Sequence, residues 1–228
     1  MILEFIVIIV IIIVFIWRIT HKREKNKIQV VTSPMNNFPI YLISMEKDIK
    51  RRQFVKNQIE YNYYSAINGH ILPKQFSDTV NGLSKGEIAC FLSHINMIYY
   101  ALDNKKSSIA LILEDDALIP NVDFSIFNNI TNEFSDWDII FLGYNHYEKT
   151  NEKIIKRNYS LYPINLVHGT HGYIINLERI TKEKIQKMYP IDMPLDVKFP
   201  QILDTFIIEP KLIMLSEFGS VSNTQGIQ

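Results

Sequence analysis

The sequence predicts a single α/β domain whose mixed, mostly parallel sheet is flanked by helices. Two apolar runs, IALIL at 109–113 and IIFLG at 139–143, are uninterrupted for long enough to form strands that are covered on both faces. Segments with helical periodicity lie between the strand-like runs, and this alternation is typical of α/β domains. A chain of 228 residues can build one such domain with a substantial core.

The composition excludes several classes of protein. The chain is 47% hydrophobic and 21% charged, so it has enough apolar surface to offset chain entropy, and a disordered protein is excluded. The single cysteine, Cys90, excludes a disulfide scaffold. Residues 1–27 hold five basic and two acidic side chains, which leaves 19 basic and 22 acidic residues in the rest. An acidic body argues against nucleic acid as a partner.

The N-terminal segment predicts a membrane anchor. Residues 1–17 are apolar except for Glu4, and their length approaches that needed to cross a hydrocarbon layer about 30 Å thick. A basic block follows directly at 18–27, without the small-residue cleavage site of a signal peptide. Because positive charge stays on the cytosolic side of membranes, we expect a single-pass anchor with a cytosolic domain. The alternative is a buried helix of a soluble protein.

The folded domain is predicted to occupy residues 38–228, joined to the anchor by a basic polar tether at 18–37. Its predicted elements are, in order, a strand at 39–44, a helix at 47–60 with Ile49, Phe54, Val55 and Ile59 facing the core, a strand at 61–67, a helix from the capping box of Ser84 and Glu87 to Asp103, strands at 109–115 and 136–143, one or two strands at 165–176, and a helix at 177–189.

Three adjacent carboxylates, Glu114, Asp115 and Asp116, follow the apolar run at 109–113. Ligands of open α/β sheets gather beyond the carboxyl ends of the strands. Neighbouring carboxylates repel one another at a buried strand end unless a cation or a network compensates their charge. Oxygen donors suit Mg²⁺ or Mn²⁺, which can in turn bind a diphosphate. The sequence therefore predicts a divalent-cation site, with a solvated acidic loop as the alternative.

Two histidines, His168 and His171, are flanked by glycines in the motif HGTHG. Glycine lets the backbone approach a ligand closely, and imidazole can complete a metal shell or donate to phosphate. In the helix that follows the capping box, the adjacent Ser93 and His94 point about 100° apart, which argues against a hydrolytic serine. Cys90 in the same helix is predicted to pack in the core.

Five motifs resemble, in order and spacing, those of the family 25 glycosyltransferases, which include bacterial lipopolysaccharide sugar transferases and collagen galactosyltransferases. The resemblance covers residues 39–225, and the motifs are LSKGEIACFLSH (83–94), LILEDDALIP (111–120), DWDIIFLG (136–143), GTHGYIIN (169–176) and PLD (194–196). The first motif of the family survives only in part, because Ser44, Met45 and Lys50 stand where the family has Asn, Leu and Asp.

The resemblance implies a GT-A fold and an inverting transfer of a hexose, galactose or glucose, from a nucleotide-sugar donor such as a UDP-sugar. It also implies help from Mn²⁺ or Mg²⁺ and a hydroxyl acceptor on a glycan, a lipid-linked molecule or a protein. Carried over by motif, Glu114, Asp115 and Asp116 would form a DxD-like acidic motif, with Asp116 as the direct metal ligand. Arg51, Asn68 and Glu87 would line the donor side of the site, and His171 would contact the diphosphate or the metal. Asp196 would be the general base, with Asp138 as the alternative base.

Two other functions remain open at this point. A metal-dependent phosphohydrolase also uses carboxylates at a strand end, but it needs a second set of ligands, for which only His168 and His171 are available. A non-catalytic, membrane-tethered binding module with the fold of a transferase would account for the altered first motif. For Asp138, the position at the start of a strand favours a structural role.

Overall fold

The structure is a computed structural model, and all the residues that it describes belong to one compact unit. The described residues are 38–73, 82–120, 122–150, 154–156 and 159–220. The predicted anchor at 1–17 and the tether at 18–37 lie outside them. Within these ranges, no helix has the length and apolar character that a membrane crossing requires.

Strands and helices largely alternate in the first part of the described chain, and five consecutive strands follow at 139–176. The strands are β1 (Ile40–Ser44), β2 (Asn62–Ser65), β3 (Ile109–Glu114), β4 (Ala117–Leu118), β5 (Ile139–Gly143), β6 (His146–Lys149), β7 (Ile154–Lys156), β8 (Tyr159–His168), β9 (Gly172–Asn176), β10 (Thr205–Glu209) and β11 (Met214–Leu215). The α-helices are α1 (Ile49–Lys56), α2 (Lys85–Asp103), α3 (Ser125–Glu133), α4 (Lys182–Gln186) and α5 (Leu195–Ile202), and short 3₁₀ turns span Gly69–Ile71 and Glu217–Ser220.

The main sheet is mixed, and the predicted α/β class is confirmed. Its strand order is β2-β1-β3-β9-β5-β10-β8-β6, with β7 paired to β8. β1 runs parallel to β2 and β3, and β5 runs parallel to β10. β9 lies between these two groups and is antiparallel to β3 and β5, so the two groups share one direction. A separate antiparallel pair joins β11 to β4.

β3 shows why an uninterrupted apolar run predicts a doubly covered strand. Its first five residues are at most 2% exposed. Ala110 and Ile112 belong to the core that contains Phe91 and Ile95 of α2. The alternate residues of β3 belong to the core on the other face, with Trp137 and side chains of α3. Because side chains alternate along a strand, both faces of a buried strand must be apolar.

The capping box predicted at the start of α2 is confirmed. The Ser84 Oγ accepts the Glu87 N–H at 3.2 Å, and a Glu87 carboxylate oxygen accepts the Ser84 N–H at 2.7 Å. The two side chains therefore satisfy N–H groups that would have no partner within the helix. α2 continues to Asp103 as predicted.

Two predicted helices are shorter in the structure. The helix expected at 47–60 spans only α1, and Ile49, expected in the core, is 66% exposed at the first position of this helix. Val55 does reach the core, as predicted. The helix expected at 177–189 is confined to α4, because the Thr181 side chain accepts the Lys184 N–H and starts the helix there.

Asp138, the alternative base, lies at the amino ends of the parallel strands, whereas the acidic motif lies at their carboxyl ends. It precedes β5, whereas Glu114 ends β3, and the two strands run in the same direction. The carboxylate is fully buried, with both oxygens 2.8 Å from the Nζ of Lys184 and one of them 3.4 Å from the Nε of Arg179. The structure thus places Asp138 in an ion-pair network that joins α4 to the sheet.

We expect Asp138→Asn to lower the free energy of unfolding by about 1.5–3 kcal/mol, since hydrogen bonds to a buried charge are lost. Denaturation in urea measures this loss. Asp136→Asn is the matched control, because Asp136 pairs with the same Arg179 but is 80% exposed. Its effect should stay within about 0.5 kcal/mol. An Asp138→Asn protein as stable as its parent would contradict a structural role.

Candidate functional site

The acidic motif lies at the carboxyl ends of two neighbouring parallel strands. Ile43 of β1 pairs with Glu114 of β3, so Ser44 at the end of β1 lies beside the motif. The Ser44 Oγ donates to one oxygen of Asp115 at 2.5 Å, and the Arg51 Nε donates to the other at 2.6 Å. Both oxygens of Asp115 therefore have protein partners, and Asp115 fixes the guanidinium of Arg51.

Asp116 differs from Asp115 in having one oxygen without a hydrogen-bond partner. Its Oδ2 lies 3.2 Å from the Nη2 of Arg51, whereas its Oδ1 is buried and unpartnered. The segment after β10 is joined to the backbone of Asp116, since the Ser216 N–H donates to the Asp116 carbonyl at 2.8 Å. A buried carboxylate oxygen without a donor is costly unless a cation approaches it.

Glu114 belongs to a hydrogen-bonded network on the α2 side of the sheet. Its Oε1 lies 3.1 Å from the Nε2 of His94 and also accepts the hydroxyl of Thr170. The Nδ1 of His94 lies 2.8 Å from the phenol oxygen of Tyr173. An ionised Glu114 can only accept, so we assign a proton to the Nε2 of His94.

The three carboxyl groups differ in acidity. Burial and the charge of Glu114 raise the pKa of Asp116 to about 7, against the opposing charge of Arg51. Burial also raises the pKa of Asp115. Burial acts in the same sense on Glu114, but hydrogen bonds from His94 and Thr170 outweigh it and lower that pKa to about 2. Glu114 is therefore ionised at neutral pH, and its charge is one cause of the raised pKa of Asp116.

His171 packs against the backbone at the end of β5. A Cβ atom at Gly143 would lie 2.5 Å from the Nε2 of His171, so only glycine leaves room for the ring. Burial lowers the pKa of His171, with Lys211 adding to the effect, so the imidazole is neutral at physiological pH. Its backbone oxygen accepts the Glu114 N–H at 3.1 Å, which ties the histidine loop to the acidic motif.

Asp196, in the first turn of α5, holds the same loop. One of its oxygens accepts the Gly169 N–H at 2.8 Å and the other accepts the Val197 N–H at 2.9 Å. Gly169 has φ +97°, a conformation that favours glycine. The Nδ1 of His168 is 4.0 Å from Asp196, and the imidazole is half exposed. The structure therefore joins the PLD and HGTHG motifs.

Cys90 lies near these carboxylates on α2. Burial raises the pKa of its thiol well above the ordinary value, and the charges of Glu114, Asp196 and Asp116 act in the same sense. Negative groups from β3, from the turn after it and from α5 thus all act on the Cys90 thiol.

Two predicted substrate-binding residues have local structural partners. The Asn68 Oδ1 accepts the His70 N–H at 3.0 Å and caps a 3₁₀ turn. The carboxylate of Glu87 is engaged by Ser84 in the capping box. Arg51, by contrast, is brought directly to Asp115 and Asp116. Their roles toward a substrate stay predictions.

The sequence did not reveal four residues that shape the site. Ser44, Thr170, Tyr173 and Ser216 all contact the acidic motif or its network. The position of Ser44 at the end of a predicted strand of the same sheet could have indicated that it lies near the acidic motif. The others depend on how β9 and the segment after β10 pack, which no local pattern encodes.

Known proteins show what the chain resembles. It is 31% identical over 179 residues to procollagen galactosyltransferase 1 of Danio rerio, a match covering 66% of this chain and 29% of that protein. It is 24% identical over 241 residues to procollagen galactosyltransferase 1-A of Xenopus laevis, covering 86% and 39%. The solved apo structure of mouse xyloside xylosyltransferase 1 gives a TM-score of 0.39 at 9% identity, covering 77% of this chain and 71% of that one.

The chain spans less than half the length of the curated relatives it matches. A family model described as glycosyltransferase family 25 (LPS biosynthesis protein) matches residues 37–198, which include the acidic motif, the histidine loop and Asp196. The resemblance read from the five sequence motifs is thereby confirmed. Because the model matches well over half of the sequence, this chain belongs to glycosyltransferase family 25.

Proposed function

We propose that this chain is a glycosyltransferase that moves a hexose, galactose or glucose, from a UDP-sugar to a hydroxyl acceptor on a glycan, a lipid-linked molecule or a protein. The observation that carries the proposal is the buried, unpartnered oxygen of Asp116 within an acidic motif at two strand ends, in a chain of family 25. Strand ends of this kind are where α/β domains bind nucleotides. We also propose that the sheet has the arrangement of the GT-A fold.

The donor set fits Mn²⁺ or Mg²⁺. Asp116 offers an oxygen without a protein donor, and Glu114 keeps a negative charge beside it. Carboxylate oxygens are the ligands that these hard cations prefer, and a cation there would relieve the repulsion that raises the pKa of Asp116. When bound, the cation would supply charge neutralisation for a departing nucleoside diphosphate. Asp115, whose oxygens are occupied, would support the site through Arg51.

Other residues of the chain would bind the donor and activate the acceptor. Arg51, fixed by Asp115, would hold anionic groups of the donor. His171, neutral and packed on Gly143, would donate a hydrogen bond to the diphosphate. Asp196, presented at the start of α5, would accept the proton of the acceptor hydroxyl as it attacks the sugar carbon from the side opposite the leaving group. That geometry of attack inverts the sugar centre.

A phosphohydrolase is less well supported. Its two-metal chemistry needs a second ligand set, and within the described ranges His168 and His171 do not share a donor cluster. His168 lies beside Asp196, whereas His171 packs on Gly143. A non-catalytic binding module would retain the sheet but would have no need of the unpartnered carboxylate.

The test is turnover by the full chain in detergent with a panel of nucleotide sugars, with and without Mn²⁺. We expect one UDP-hexose to release UDP in the presence of the cation, and an added acceptor mixture to increase the rate. Release of inorganic phosphate instead would favour the phosphohydrolase. The absence of both turnover and nucleotide-linked Mn²⁺ binding would favour the binding module.

We also propose that residues 1–17 anchor the protein as a single membrane-spanning segment with the catalytic domain in the cytosol. The support is the apolar run and the basic block at 18–27 that follows it. Protease added outside sealed cytosolic-side-out vesicles should digest the domain. Full protection, or glycans at the N-glycosylation sequons of Asn129 (NIT) or Asn158 (NYS), would show the opposite orientation.

A further inference from the structure

A second donor cluster lies beside the acidic motif, between α2 and the end of β3. The Cys90 Sγ, a ring nitrogen of His94 and a carboxylate oxygen of Glu114 all lie within 4.8 Å of one another. Cys90 and His94 are four residues apart on α2, so their side chains share one face of the helix. We propose that these three residues bind a thiophilic divalent cation such as Zn²⁺, at a site additional to the oxygen-donor site proposed above.

The donor set distinguishes this site from the acidic motif. Thiolate sulfur, imidazole nitrogen and carboxylate oxygen are the three kinds of ligand that zinc takes, and three protein ligands leave a fourth position for water. Mn²⁺ and Mg²⁺ favour sites built from oxygen alone, so the sulfur of Cys90 selects against them. Two cation sites of different chemistry would then share Glu114.

The surroundings of His94 resemble those of a metal-binding histidine. Its Nε2 faces Glu114, and its Nδ1 lies 2.8 Å from the phenol oxygen of Tyr173. Histidines that bind metals almost always hold their other ring nitrogen in a hydrogen bond, which fixes the ring. With the cation on Nε2, the imidazole proton moves to Nδ1 and donates to Tyr173. Both side chains are at most 1% exposed, so the ring is already positioned.

The local charge also favours a cation. The carboxylates of Glu114, Asp196 and Asp116 all act on the Cys90 thiol, and a divalent ion would be attracted by the same groups. On binding, a bond forms between the cation and Sγ while the thiol proton leaves to solvent, so two positive charges replace one. A closed hydrogen-bonded network with Cys90 as packing is the alternative that the experiment must exclude.

The experiment is a titration of the metal-free full chain with Co²⁺, followed by absorption. A thiolate bound to Co²⁺ gives a charge-transfer band in the near ultraviolet, and this chain has only one cysteine, so the band can arise only from Cys90. We expect the band to saturate at about one equivalent and to vanish when Zn²⁺ is added. Absence of the band in the parent protein would overturn the proposal, whatever the variants do.

Three variants sharpen the result. Cys90→Ser should lose the band, and Tyr173→Phe should weaken Co²⁺ binding by about 10–100-fold, the usual effect of losing the outer hydrogen bond. His70→Gln, which alters an exposed histidine, should bind Co²⁺ as the parent does. Equal weakening in all three would also overturn the site. The absorption signal does not require sugar transfer, so its failure is distinguishable from a failure of the proposed function.

Discussion

Asp116→Asn is expected to stabilise the metal-free protein at neutral pH while it abolishes metal-linked donor binding. Burial and the charge of Glu114 raise the pKa of Asp116 from 3.8 to about 7. A group whose pKa is raised in the folded state favours folding most below its unfolded pKa, and this contribution is lost as the pH rises toward about 7. Ionised Asp116 therefore lowers stability above neutral pH by up to about 4 kcal/mol.

The measurement is thermal unfolding of the full chain at pH 5 and pH 8, without metal and with Mn²⁺. Asp116→Asn should exceed the melting temperature of the parent at pH 8, and the difference should shrink at pH 5. Mn²⁺ with UDP should raise the melting temperature of the parent but not that of the variant, because binding to the folded state stabilises it. Asp136→Asn, at an exposed aspartate, is the matched control and should respond to Mn²⁺ as the parent does.

Two results would contradict the assignment of Asp116. One is a variant that binds Mn²⁺ and UDP with parental affinity, since the direct ligand would then lie elsewhere. The other is a variant less stable than the parent at pH 8, since the carboxylate would then contribute to folding rather than oppose it.

Asp196→Asn is expected to reduce transfer by about 10²–10⁴-fold, because an amide cannot accept the proton of the acceptor hydroxyl. Affinity for UDP with Mn²⁺ should remain near the parental value, in contrast to Asp116→Asn. The substitution also removes a hydrogen bond, since both carboxylate oxygens of Asp196 accept backbone N–H groups and the amide of asparagine has only one oxygen that can accept. We therefore expect stability to fall as well, by about 1–3 kcal/mol.

A control must separate the loss of a base from the loosening of α5. Asp192→Asn serves this purpose, because it breaks the 2.6 Å pair with the buried Lys198 of α5 and leaves Asp196 unchanged. Its transfer rate, corrected for the folded fraction, should stay close to the parental rate. Parental transfer by Asp196→Asn would show that the base lies elsewhere.

Local patterns predicted the elements that carry their own signals. The capping box of Ser84 and Glu87 fixes the start of α2 through bonds within three residues, and the apolar run of β3 reflects burial on both faces. The acidic motif was predictable for the same reason, since its position at a strand end is visible in the sequence. Arg51 was assigned through the resemblance, and the structure places it on two of the three carboxylates.

What depended on packing between distant segments was not predictable. The short apolar run at β10 and the antiparallel insertion of β9 give no signal of which strands they pair with. The contact between His94 and Glu114 requires a particular rotation of α2 against β3, and the pattern of α2 does not specify which polar residue meets the strand end. The exposed position of Ile49 likewise depends on the turn that precedes α1.

The central position of β9 has a consequence for how the chain folds during synthesis. β3 and β5 are made well before β9, yet each needs β9 as its neighbour. Until Gly172–Asn176 leaves the ribosome, the edges of β3 and β5 that will pair with β9 are exposed and flanked by apolar faces, a condition that promotes aggregation. A fragment that ends before Gly172 would contain the entire acidic motif and still be unable to complete the sheet beneath it, so we expect such fragments to depend on chaperones.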